Sequence, residues 1–260
     1  MKSAKKQGFT LVELLVVIGI LGILSAALYP AITNAVMQAN MTAVGARGKD
    51  IYVGIIGANT EREPLGLGNI WPKTRASTGA SADGGGEMDI ADKGFTTAEE
   101  YFAYLYDEEN VKDSKKWSPY AAGFDFSKLA GAGVKTPTGG AKLAKENVMW
   151  SIGANIRDEM EDIIPIFVTR NLDCNKLAIK YNGTSSTKIE LGAVFDTPFS
   201  SKAFVLVRKG GGIYKASGRY ATLRVIYSSQ QFDLDPSGAS QDMEKFCYLI
   251  PGGKATPSGN

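Results

Sequence analysis

The stretch GFTLVELLVVIGILGILSAALYPAI, Gly8 to Ile32, decides how the rest of the chain is read. Leu14 to Leu28, with Phe9, Leu11 and Val12 before them, make an apolar run of about 20 residues, roughly 30 Å as a helix and so enough to cross a bilayer. One acid, Glu13, interrupts it. Upstream, MKSAKKQG (Met1 to Gly8) carries three lysines and no acid, and after Glu13 no charged residue appears until Arg47. By the positive-inside rule the lysine-rich end stays in the cytoplasm, which sends everything after Leu28 across the membrane.

Glu13 separates the readings of this segment. A cleaved secretory signal accounts for the basic start, the apolar core and Ser25-Ala26-Ala27 as a small-x-small site before Leu28. A plain membrane anchor accounts for the apolar core as well. Under both, the acid opposes insertion, by about 2.5–3.5 kcal/mol near a helix centre and less near its end. The third reading explains the acid: Gly8 to Ile32 resembles the N-terminal signature of type IV prepilins and type II secretion pseudopilins. The resemblance implies that a prepilin peptidase cuts between Gly8 and Phe9 and N-methylates Phe9, leaving the apolar helix on the mature protein. A glycine at the cut lets a peptidase approach the backbone closely. Glu13 then becomes the fifth mature residue. A buried carboxylate needs a partner, and the resemblance implies the amine of Phe9 on a neighbouring copy, a pair that would set the axial stagger as polar groups do in apolar helix seams. The partners implied are like subunits in a helical filament, the prepilin peptidase, the inner-membrane assembly platform and the membrane itself. The location implied is the bacterial inner membrane, single-pass with a periplasmic head, and then a periplasmic or extracellular filament.

The expected fold is α+β: a long kinked N-terminal helix packed on a globular head with a C-terminal antiparallel sheet. Its segments are a basic leader (1–8), a transmembrane and filament-core helix (9–30), an amphipathic continuation (31–60), the head (61–250) and a disordered tail (251–260). Pro30 removes a helical hydrogen bond and clashes with the preceding turn, so Gly19, Gly22 and Pro30 mark the expected kink. Beyond it Ile32, Ala35, Val36, Ala39, Ala43 and Val44 recur at helical spacing as one apolar stripe. Gly45, Gly48, Gly54 and Gly57 count against the helix there, by about 1 kcal/mol each relative to Ala. In the head, Thr97-x-x-Glu100 is a capping-box pattern that starts a short helix carrying Phe102, Leu105 and Tyr106 on one side. A helix is expected from about Ala141 and a strand over Ile164–Thr169, with Pro165 limiting that strand to an edge or placing the proline at its start. Ala203–Ser217 reads as a hairpin about Lys209-Gly210-Gly211, and Tyr220–Ser229 alternates as a further strand.

Composition excludes several chemistries. The 260 residues contain no histidine, which removes His-dependent triads and His-ligated zinc. With 29 basic and 27 acidic residues the net charge of +2 gives no field suited to nucleic acid, and no nucleic-acid partner is expected. No phosphate-cradling glycine motif occurs, and the acids of IRDEMEDII (Ile156–Ile164) read as the solvated face of a helix. The resemblance implies a structural subunit, and with these motifs absent neither catalytic activity nor a cofactor is expected. Cys174 and Cys247 lack C-x-x-C spacing; by the resemblance to pilins they would form a disulfide fastening the C-terminal region, the alternative being two buried free thiols. By the same resemblance calcium is possible near the C-terminus, where Asp233, Asp235 and Asp242 offer oxygen ligands without EF-hand spacing. The mature length of 252 residues, 260 less the eight of the leader, also suits a second role, a minor tip-located subunit whose head binds a surface or substrate.

Overall fold

The computed structural model describes residues 10–74, 90–106, 143–192, 199–234 and 245–255. The first helix, α1, runs from Leu11 to Arg62, 52 residues. The helix is continuous through Gly19, Gly22 and Pro30; the Thr33 hydroxyl donates to the Pro30 carbonyl at 3.0 Å, one turn back. The chain divides into two compact units, Met1–Asn40 and Met41–Asn260. In the first unit the helix carries no charged residue over Leu14–Asn40 and its large apolar side chains are exposed, Leu11 at 80% and Ile23 at 73%.

From Met41 onward α1 has an inside and an outside. Met41, Val44, Gly45, Gly48, Ile51, Ile55, Ala58 and Arg62 are buried, at spacings of three and four that put them on one face. Of the apolar stripe expected from the sequence only Val44 belongs to that face; Ile32, Ala35, Val36, Ala39 and Ala43 are exposed. The glycines account for the difference. A Cβ on Gly48 would come within 2.7–2.8 Å of the Trp150 ring, and one on Gly45 within 2.8 Å of Ile213. Both positions let the helix backbone lie directly on bulky side chains of the head, so glycine marks the buried face here.

The head centres on a sheet. Two short strands, β1 (Lys73–Thr74) and β2 (Gly94–Phe95), pair in parallel and are followed by α2 (Ala98–Tyr106). Then come β3 (Trp150–Ala154), β4 (Pro165–Thr169), β5 (Lys180–Tyr181), β6 (Ala203–Arg208), β7 (Ile213–Ser217), a one-turn helix α3 (Leu223–Ile226), β8 (Phe232–Asp233), β9 (Cys247–Ile250) and β10 (Gly253–Ala255). Six of these strands form one sheet in the order β10-β9-β3-β4-β6-β7, every neighbouring pair antiparallel, while β5 pairs with β8 beside it. Side chains alternate between faces along each strand. Trp150, Ile152, Phe167, Val205 and Val207 share the face that meets Gly45 and Gly48 of α1. Ser151, Tyr248, Phe204 and Leu206 share the other, where Tyr181, Tyr227 and Phe232 stack as an aromatic cluster.

The α+β architecture with its antiparallel sheet stands, and the Ala203–Ser217 hairpin forms as β6 and β7. Gly211 closes that turn at φ +74°, where a Cβ would meet the Lys49 ammonium and the Tyr52 ring. Lys49 donates to the Gly211 carbonyl and Tyr52 to the Lys209 carbonyl, so α1 holds the hairpin tip. Pro165 is the first residue of β4, beside a register shift in its pairing with β6, and β4 is a central strand because the missing N–H falls at that irregularity.

Three expectations are corrected. Where a helix was expected from Ala141, the described part shows one 3-10 turn (Lys145–Asn147) and then β3. Every residue of β3 is buried, and a strand covered on both faces loses the alternation that identifies strands. Tyr220–Ser229 is α3 with a 3-10 turn before it: Thr222 caps the helix by accepting from the Val225 N–H, and Ser228 and Ser229 close it at φ 50° and 58°. Within the expected disordered tail, Gly253–Ala255 pairs with β9 as an edge strand, and Glu99 of α2 accepts from the Gly252 N–H in the intervening turn. The expected helix at Thr96–Glu109 forms over Ala98–Tyr106 with Phe102 and Leu105 buried; Glu100 reaches the Thr96 N–H while its own N–H reaches the Thr97 hydroxyl.

Candidate functional site

The start of α1 is built by two residues. Thr10 precedes the helix, and its N–H and hydroxyl both donate to Glu13 Oε2 at 2.8 Å, while the Glu13 N–H donates back to the Thr10 hydroxyl at 3.2 Å. This is a reciprocal cap: the threonine oxygen satisfies one orphan N–H of the first turn and the carboxylate satisfies another, with its charge at the positive end of the helix dipole. The sequence carried the signal as Thr10-x-x-Glu13, the same pattern read correctly at Thr97, but the reading of Glu13 as a membrane oddity left it unused. Glu13 Oε1 makes no hydrogen bond to a described residue, so the cap leaves half of the carboxylate open. Gly8 and Phe9, the expected cleavage and methylation positions, lie outside the described residues.

Behind this cap α1 is one helix long and apolar enough to cross a membrane, and the most apolar part of it has no buried residue. Gly19 and Gly22 have no atom within 4 Å of where a Cβ would stand.

The other sites fare differently. Cys174 and Cys247 are both buried free thiols, the alternative that the sequence left open beside a disulfide. The sheet itself separates them. Cys247 pairs in register with Ala154 and so shares the face of Ile152 and Trp150, towards α1. Cys174 is hydrogen-bonded with the Ser151 side chain on the opposite face, and its Sγ donates to the Leu172 carbonyl. Burial pushes the thiols up, Cys174 to about 12 and Cys247 to about 11, so neither is a nucleophile near neutral pH. Of the calcium candidates, Asp233 lies on β8 and is bound by Lys180 at 2.9 Å, while Asp235 and Asp242 lie outside the described residues. No cluster of three metal-ligating side chains occurs among the described residues.

The chain is an α+β protein with a capped N-terminal helix long and apolar enough to cross a membrane. Residues 3–29 match the family model for the prokaryotic N-terminal methylation motif, which supports a protein of the type IV prepilin or pseudopilin type. No match was found among curated proteins or among solved structures.

Proposed function

We propose that the protein is a structural subunit of a type IV pilus-like or type II secretion filament, without catalytic activity. It is processed between Gly8 and Phe9, methylated at Phe9, held in the inner membrane by α1 with its head in the periplasm, and drawn by the assembly platform into a bundle of like helices. The supporting observation is the coincidence of the matched motif with a helix that carries no charge and is exposed on all sides over Leu14–Leu28. Such a surface is stable only in lipid or against other apolar helices. Glu13 contributes the register: its carboxylate exchanges the local Thr10 cap for the Phe9 amine of a neighbouring copy. Gly19, Gly22 and Pro30 form the stretch that yields most easily when the helix changes surroundings.

Glu13→Ala tests this. Processing at Gly8 persists and filament assembly fails; normal filaments from the variant would overturn the pairing. The tip-located role is the second reading, favoured by the size of the head, and filaments that carry this subunit only at one end under immunogold labelling would establish it in place of the first.

A further inference from the structure

Of the asparagines in the chain, Asn182 alone is followed by glycine, in the loop Asn182-Gly183-Thr184-Ser185 after β5, where Asn182 and Thr184 are exposed. Its side-chain oxygen accepts three hydrogen bonds, from the Thr184 N–H at 2.9 Å, the Thr184 hydroxyl at 3.0 Å and the Ser185 N–H at 3.2 Å. Gly183 sits at φ +82°, and a Cβ there would stand 3.0 Å from the Ser229 carbonyl oxygen, so the fold demands glycine at this position. The Gly183 N–H donates to no described residue, and with no side chain beside it that nitrogen is unhindered.

We infer that Asn182-Gly183 is a self-modifying site, at which the fold promotes conversion of Asn182 to an acid. The Gly183 nitrogen attacks Asn182 Cγ, forming the new N–Cγ bond. Negative charge develops on Oδ1, where three donors already point, as in an oxyanion hole. The Cγ–Nδ2 bond then breaks; Nδ2 leaves as ammonia, taking the proton that the Gly183 nitrogen gives up. A solvent water opens the resulting succinimide. Opening at the side-chain carbonyl yields aspartate; opening at the backbone carbonyl yields isoaspartate. The aspartate carboxylate accepts the same three hydrogen bonds, now charge-assisted, so the loop holds that product without rearrangement. The head thereby becomes one charge more negative with time, in a loop bracketed by Lys180 and Lys188. This inference is independent of the filament reading.

The test follows the tryptic peptide Tyr181–Lys188, which contains no other asparagine, during incubation of the full-length chain in detergent at mildly alkaline pH in oxygen-labelled water. The same chain unfolded in guanidinium is the reference. The folded chain gains acid and label at Asn182 faster than the unfolded one, and Thr184→Val slows the folded rate about fivefold, the effect of one exposed hydrogen bond, leaving the unfolded rate unchanged. Thr184 is exposed, so the variant folds. A folded rate equal to or below the unfolded rate would overturn the inference, as would a Thr184→Val rate equal to the parent's in the folded chain.

Discussion

Over Leu14–Leu28, α1 carries no charged residue and is exposed on every side; from Met41 its buried residues keep to one face and meet the sheet of the head. The contrast shows most clearly in its glycines. Gly19 and Gly22 face open space, whereas Gly45 and Gly48 are in contact with Ile213 and Trp150. The same residue type marks a weak point in one half and a close approach in the other. One half is a surface awaiting an apolar environment, and the other is already part of a core.

The largest effect expected is in the core half. Trp150→Ala removes a fully buried ring that touches α1 and Phe167, and it lowers the unfolding free energy of the head by about 3–5 kcal/mol, measured by denaturant titration. Gly48→Ala follows: overpacking against Trp150 and Val207 costs about 1–3 kcal/mol, partly offset by the better helix propensity of alanine. Gly22→Ala, in open space, leaves the melting of the head unchanged, and equal losses from the two glycine variants would erase the distinction between the halves. Alkali acts on the head alone. In the unfolded chain both thiols ionise near 9, while in the folded chain they stay protonated to about 11 and 12, so the unfolded state binds fewer protons in between. Stability therefore falls as pH rises from about 9 towards 11, and replacing both cysteines with alanine flattens this part of the melting-temperature profile. The smallest effect belongs to the exposed half: Thr10→Ala removes the cap, costs about 1 kcal/mol of local helix stability seen as faster amide exchange in the first turn, and spares the head.

The two halves also differed in legibility. The exposed half could be read directly, because its length, its lysine-rich flank and its single acid are local features that need no partner. The core half could not, because its face is defined by what it touches. The stripe Ile32–Val44 has helical spacing, yet glycine rather than bulk decides which side meets the sheet. β3 escaped for a related reason: Trp150-Ser151-Ile152-Gly153-Ala154 is buried on both faces, so its pattern carries no period of two. The hairpin of β6 and β7 was visible because Lys209-Gly210-Gly211 is a turn by local chemistry. The cysteines show the limit of spacing arguments, since only the pleat of the finished sheet places Cys174 and Cys247 on opposite faces.

The central claim is that the exposed half begins at a processed amino terminus one residue before the Thr10–Glu13 cap. Mass spectrometry of the intact protein and its N-terminal peptide, isolated from membranes of the producing cell, tests it most directly. The account predicts a chain that begins with N-methylated Phe9; a chain that begins at Leu28, or that retains Met1–Gly8, would contradict it.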